Sequence, residues 1–185
     1  GTHPKPAGNV IAAGMIAELL GRAWSRPMIK AAAPHALPWK PLDAGSYQRG
    51  HFLSPAASAN THWAWHVPKW KSIPGGFRSN PFGGKKLLTA TEVGQETSVK
   101  FMGRALGAYV LAGPDAGVLE VSIDGGAWQR LDLYHRHSRG LHYPRTVMFA
   151  TDLKAGMHFA RIRLSQKSNP LSKGTAARIM QFVVN

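Results

Sequence analysis

The sequence contains no cysteine. That excludes disulfides, cysteine-ligated zinc and thiol catalysis, and it leaves the redox compartment open. Acidic residues are scarce: 9 Asp and Glu stand against 23 Lys and Arg, a net charge of +14. An imbalance of that size favours polyanionic partners, among them acidic polysaccharide, nucleic acid, anionic membrane or an acidic protein chain; the alternative is a solvated basic surface without a specific ligand. No apolar run is long enough to span a membrane, and no N-terminal signal is visible, although a fragment or processed subunit would have lost one. No internal repeat is apparent. What remains is an ordinary globular composition, 44% apolar over 185 residues, enough for one large domain or one domain with an appendage.

The opening stretch, Gly1 to Trp24, holds a His-Pro pair at His3-Pro4, then Pro6 and Gly8, and then an apolar run. Pro4 and Pro6 disfavour helix for the residues before them, so His3 is expected in an extended turn. Asn9 is a candidate N-cap, and Ala12, Ile16, Leu19, Leu20 and Ala23 recur at helical spacing as one expected buried stripe, limited by Pro27. Residues 28–84 read as a connector. Pro34, Pro38, Pro41 and Pro55 break regular structure, while Trp39, Tyr47, His51 and Phe52 supply apolar anchors. Within it, residues 61–84 are dense in aromatics: Trp63, Trp65, Trp70, Phe77 and Phe82, beside His62 and His66. Such rings either stack on sugars or pack an interface, and packing against a separate catalytic domain is the expectation, since tryptophan bodies rarely stay exposed in such numbers.

From Leu87 the texture changes to short strands between turns, expected at 87–91, 97–102, 108–112, 118–123, 128–133, 146–149, 158–164 and 178–184. Asp124-Gly125-Gly126 marks a hairpin. Ala160, Ile162 and Leu164 alternate with Phe159, Arg161 and Arg163. Likewise Met180, Phe182 and Val184 alternate with Ile179, Gln181 and Val183. This spacing predicts a mainly β chain, an antiparallel jelly-roll sandwich over 85–185, with Phe101, Leu119, Val121, Trp128, Ile162 and Phe182 mostly inside.

Between two expected strands lies Tyr134-His135-Arg136-His137-Ser138-Arg139-Gly140-Leu141-His142-Tyr143-Pro144-Arg145. Arg forks suit carboxylate and sulfate groups, so Arg136, His137, Arg139, His142 and Arg145 are the candidate substrate-binding residues, contacting an anion or a sugar. The alternative is a basic turn bound to nothing. His135 and His137 have a spacing that two metal ligands can use. No carboxylate lies within the cluster, however, and the flanking arginines repel a cation, so no metal is assigned. Lys69 and Lys71 flank Trp70, a combination that also suits single-stranded nucleic acid, but no nucleic-acid motif supports that reading.

Two stretches carry a resemblance. The His3-Pro4 pair, Gly8 and the apolar helix after them resemble the last block of the SGNH (GDSL-type) hydrolases, in which an Asp-x-x-His-Pro stretch precedes the final helix. Phe101-Met102-Gly103, the run from Ala112 to Gly126 and the closing Gln181-Phe182-Val183-Val184-Asn185 look like the jelly-roll domain that follows the catalytic domain in some bacterial GDSL-type esterases acting on carbohydrate. The resemblance implies that residues 1–27 are the end and last helix of an α/β SGNH domain, 28–84 the connector, and 85–185 the jelly roll. It implies that His3 is the catalytic general base, that its Asp stands immediately before Gly1, and that the serine nucleophile comes from an N-terminal segment or another chain. The implied activity is serine-dependent hydrolysis of a carbohydrate ester without a cofactor, with O-deacetylation of a polysaccharide as the expected reaction. An acylated polysaccharide, acidic or neutral, would be the partner, and the setting would be secreted or periplasmic. The alternatives are a non-catalytic carbohydrate-binding module and a purely structural subunit.

Overall fold

The computed structural model describes residues 3–27, 36, 39–40, 42–43 and 45–185. Pro34, Pro38 and Pro41, read above as breaks in the connector, lie outside the described residues. The chain forms two compact units, Gly1–Ala44 and Gly45–Asn185. Among the described residues of the first lies one helix, α1 (Pro6–Trp24). It starts three residues before Asn9, the expected cap, because Pro6 occupies the first helical position, where its fixed φ fits and its missing N–H is no loss. Lys5 is the N-cap residue and makes no side-chain capping bond. The expected buried stripe is not buried: Ile16 and Leu19 are 58% and 67% exposed, and no residue of α1 is buried. Helical spacing of apolar residues sets which side chains share a face; burial needs a surface laid against that face. No helix among the described residues is long and apolar enough to cross a membrane.

The second unit contains ten short strands: β1 (His51–Leu53), β2 (Ala64–His66), β3 (Leu87–Ala90), β4 (Glu96–Gly103), β5 (Leu106–Ala112), β6 (Val118–Ile123), β7 (Gln129–Asp132), β8 (Tyr143–Ala150), β9 (Gly156–Leu164) and β10 (Ala177–Val184). They build a mainly β, antiparallel jelly-roll sandwich. One sheet runs β2-β3-β10-β5-β8, with β1 also pairing β10, and the other runs β4-β9-β6-β7. Alternation places Leu106, Ala108, Val110, Phe101, Leu119, Val121, Ile162 and Phe182 between the sheets, each nearly or fully buried. The hairpin at Asp124-Gly125 forms with both residues at positive φ, 51° and 77°, as the two-residue signal requires.

The segment read as a connector contributes β1 and β2 to the first sheet from Gly45 onward. Its aromatics from Trp63 to Phe82 pack against this unit rather than a separate domain, whereas Trp39, Tyr47 and Phe52, expected as apolar anchors, are exposed. Trp63 is fully buried in the main core and donates its indole N–H to the Gln95 carbonyl at 3.0 Å. Trp65 packs partly buried on the same core. Trp70 and Phe82 form a second cluster with Leu87 and Leu111, and Phe77 stacks on Trp70 at 4.5 Å. Residues 70–82 therefore roof the outer face of the first sheet, which is why both Leu87 and Leu88, on opposite faces of β3, are buried.

Two expectations change for reasons of parity. In β10 the register shifts between Ile179 and Gln181, so the inward set is Ala177 and Ile179, then Phe182 and Val184. The bulge rephases the alternation that the sequence carries as an unbroken pattern. Trp128 is not interior. Leu131 packs against the core between the sheets and Leu133 is buried there, so an even-numbered neighbour on the same extended run faces outward. The Trp128 ring instead carries the Arg163 guanidinium, 4.0 Å from its centroid.

The roof is expected to be a major contributor to stability: Trp70→Ala should lower the unfolding free energy of the chain by about 3–5 kcal/mol, the range for losing a large buried aromatic. Urea unfolding followed by far-ultraviolet circular dichroism measures it, and a loss below 1 kcal/mol (roughly the scale of a surface substitution) would mean that the roof is dispensable.

Candidate functional site

Four loops meet at one end of the sandwich, and a buried ion pair fastens them. Arg178 lies on the outward side of β10, between the inward Ala177 and Ile179, and is 3% exposed. Its Nη1 and Nη2 donate to the two carboxylate oxygens of Asp115 at 2.8 and 2.6 Å. This fork pairing is what makes a buried arginine tolerable. The Arg178 charge holds the Asp115 carboxyl below the usual carboxylate range against the opposing effect of burial, which is the largest single influence. Asp115 in turn fixes the backbone of the 113–117 turn. The 170–176 loop closes over that turn through the Ser172 hydroxyl, which donates to Ala116 O at 2.7 Å, and through Lys173 N to Pro114 O and Ala176 N to Asp115 O, both 2.8 Å.

His142 belongs to the same anchor. It is 1% exposed, its Nε2 donates to Pro74 O at 3.0 Å, and its ring meets Trp70 edge-on at 5.1 Å. Its backbone N–H donates to Gly76 O, and Gly76 N donates to Gly140 O, each at 2.8 Å, so the 134–145 loop is tied to the roof. The ring lies so close to Gly113 that a Cβ there would stand 2.1 Å from His142 Cε1, which is why glycine is needed at this approach.

Over this anchor lies a hollow of about 710 Å³ lined by Pro114, Tyr134, Arg136, Arg139, Pro170, Leu171, Ser172 and Lys173. Three cations and no acid line it. Asp132, close in sequence, is engaged elsewhere: it accepts from Tyr134 N at 2.8 Å and from Asn169 Nδ2 at 2.6 Å. Tyr134 and the exposed Leu171 give the hollow apolar surface beside the cations. The arrangement can hold a group that is anionic or rich in hydroxyls, with ring or aliphatic surface against its carbon skeleton.

Of the residues singled out in the basic loop, the structure brings Arg136 and Arg139 together at this hollow. His137 stands beside it: its Nε2 accepts from Arg136 Nε at 3.2 Å, and its ring packs with those of His135 and Tyr143 at 5.1 Å each. His135 is held below the usual imidazole range, first by burial and then by the charges of Arg145, His137 and Arg136. Its Nδ1 accepts from the His137 backbone N–H at 3.3 Å, consistent with a neutral ring. His142 and Arg145 do not line this hollow. His142 is an interior group, and Arg145 turns its Nη1 inward to the carbonyls of Leu133 and Tyr134 at 3.3 and 3.4 Å. Both serve the loop's backbone, whose carbonyls need donors once buried. His3 is exposed, three residues before α1. Sequence reasoning missed Lys173, Leu171 and the Asp115–Arg178 pair. The hint was the scarcity of acids: in a chain with 9 of them, an Asp inside an apolar Gly-Pro turn is an expected partner for a buried cation. Among the described residues no group of three or more His, Asp or Glu is set to hold a metal ion.

Burial, together with the Arg178 charge, lowers the His142 pKa below its ordinary value of 6.5. The unfolded chain binds that proton more readily than the folded one, so the contribution of His142 is complete above about pH 6.5 and is lost as pH falls below it. His158 acts in the opposite sense. Its Nδ1 donates to Asp124 Oδ2 at 2.6 Å and its Nε2 to Lys154 O at 2.7 Å, which raises its pKa; its contribution is present below pH 6.5 and fades as pH rises through the raised value. Urea midpoints measured from about pH 7.5 to about pH 5 should therefore fall more steeply in the parent than in His142→Gln. Equal slopes would remove His142 as an acid-sensitive anchor.

No family model and no curated protein matches the sequence. Solved structures do. A two-domain esterase (CEX) active on acetylated mannans is similar over 98% of this chain and 47% of its own, at 16% identity and a TM-score of 0.68. The same esterase co-crystallised with mannopentaose is similar at 16% identity and a TM-score of 0.62, over 98% and 46%. A family two carbohydrate esterase from Cellvibrio japonicus is a looser likeness, at 16% identity and a TM-score of 0.43 over 73% and 33%. The chain spans about half the length of the two-domain esterase structures, and what that likeness establishes is the fold.

Proposed function

We propose that the chain is the jelly-roll-bearing part of a carbohydrate esterase, and that the hollow at the loop end is where it grips an acylated polysaccharide. The observation that carries this reading is the hollow itself: Arg136, Arg139 and Lys173 converge beside Tyr134 and Leu171 with no acid among them. Crowding three cations is unfavourable unless an anion or a dense set of hydroxyls meets them, and ligand-gripping residues concentrate on loops held by a rigid scaffold. The fold shared with an esterase that acts on acetylated mannans supports an ester-bearing glycan as the substrate class. In this reading His3 is the general base. It takes the proton of a serine supplied by an upstream segment or a separate chain, and that segment also supplies the oxyanion donors. Residues 1–27 then complete the catalytic unit, the exposed apolar residues of α1 pack against it, and the sandwich serves the glycan outside the membrane.

Two outcomes test the reading. With the serine-bearing segment supplied, His3→Ala should lower deacetylation by on the order of a hundred- to ten-thousand-fold while assembly persists, because a serine hydroxyl without a base is a poor nucleophile. Activity within a few-fold of the parent would take His3 out of the mechanism. Replacing Arg136, Arg139 and Lys173 together with Gln should weaken binding of an anionic glycan and flatten its dependence on salt, since fewer charges remain to be screened, and should spare hydrolysis of a small neutral ester. Equal losses on both substrates would reassign the hollow to structure.

A further inference from the structure

The outer face of the second sheet carries an ordered polar row that the loop-end hollow does not use. Across four strands the register reads Glu96 on β4, Arg163 on β9, Glu120 on β6 and Arg130 on β7. The signs alternate, and every neighbour pairs: Arg163 with Glu120 at 2.8 Å and with Glu96 at 3.6 Å, and Arg130 with Glu120 at 4.0 Å. One row along the strands, Ser98, Arg161 and Ser122 stand side by side, and Arg161 reaches back to Glu96 at 2.7 Å. Aromatic surface borders the rows. Trp128 lies under Arg163 and Arg161, with the guanidinium carbons 4.0 and 5.2 Å from its ring centre, and Phe159, 38% exposed, follows opposite Lys100. The charged side chains remain open to solvent, with Arg161 and Arg130 each 47% exposed. A hollow of about 440 Å³ lies toward Ser165 and Lys167, and another of about 410 Å³ toward Asn60 and Ser98.

We propose that this face is a second glycan-binding surface, and that its ligand is an extended, uncharged oligosaccharide lying across the strands. Exposed ion pairs add little stability, so the order of this row is poorly explained as a stabilising device. It does present donors and acceptors in fixed directions: guanidinium forks held over an indole, and carboxylates paired with those forks. Vicinal hydroxyls of a hexose both donate and accept, and they match such alternation. The guanidiniums are already engaged by Glu96 and Glu120, which leaves them less to offer an anionic chain than the unpaired cations of the loop end, and a protein partner would find no broad apolar core in the row. The strands are spaced about 4.8 Å apart, close to the advance of one sugar in an extended chain, so successive rings meet successive strands. Phe159 supplies ring surface for the apolar face of a sugar, and Trp128 backs the guanidiniums of Arg163 and Arg161 from beneath. The inference does not rest on the loop-end reading, because the two surfaces share no residue and differ in charge.

The intact chain would be titrated with mannopentaose and cellopentaose as neutral probes and polygalacturonate as the anionic one, by calorimetry and by amide chemical shifts. Saturable binding of a neutral probe should shift the amides of Ser98, Ser122 and Arg161, and Trp128→Ala and Glu96→Ala should each weaken it by about tenfold or more, the scale of a lost charge-assisted hydrogen bond or stacking contact. If either substitution prevents folding, the amide map of the parent decides alone. Shifts confined to residues 134–139 and 170–173, no saturable binding of either neutral probe, or unchanged affinity in both sheet variants would overturn the proposal. Loss of polygalacturonate binding alone would bear only on the loop-end hollow.

Discussion

The guanidinium of Arg178, buried on the outer side of a sheet and forked onto Asp115, is the interaction on which the loop end depends. A charge in that position is tolerable only while its partner is present, and removing either side strands the other in a medium that solvates it poorly. Because Asp115 also accepts from Ala176 through its backbone, the pair couples β10 to the 113–117 turn and to the 170–176 loop that closes on it. His142 fills the remaining space between that turn and the roof, with Gly113 leaving room for its ring. These bonds tie the loops to one another and to β10.

That tethering gives the surface charges their meaning. Arg136, Arg139 and Lys173 lie on backbone that is fastened from beneath, so their mutual repulsion is not relieved by the loops drifting apart. On the second sheet cations are treated differently: Arg130, Arg161 and Arg163 each find a carboxylate within 4.0 Å, so opposite signs stand side by side. Part of the basic surplus is thus gathered in a hollow at one end, and part is set into an alternating row across one face. Bulk composition describes the sum and says nothing of the division.

Strand existence was legible because alternation and turn chemistry are local. The eight runs from Leu87 onward and the Asp124-Gly125 hairpin follow from period-two patterning and from residues that accept positive φ. Errors arose where a local pattern met a non-local event. The bulge at Met180 is invisible in a sequence that alternates without interruption, and it reverses which residues face inward. Trp128 was expected inside with the alternating set, whereas the parity it shares with Arg130 puts it outside the core. Trp63, Trp70 and Phe82 were legible as buried, but their partner was not: they pack on their own unit, Trp63 in the core that reaches Val184 and Trp70 and Phe82 in the cluster with Leu87 and Leu111.

The sequence by itself determined a mainly β chain without disulfides, its strand runs, its one long helix and its basic character. These depend on composition and on neighbours a few residues apart. Only the tertiary structure decided which charges stay paired and which stand together unneutralised. His142 and Arg145 look like Arg136 and Arg139 when read along the loop, yet the first two point into the protein and the last two line a hollow with Lys173. The difference lies in contacts with Pro74, Leu133 and the 170–176 loop, and the direction of a side chain is set by the buried groups that need its hydrogen bonds, which the spacing of residues along a chain does not record.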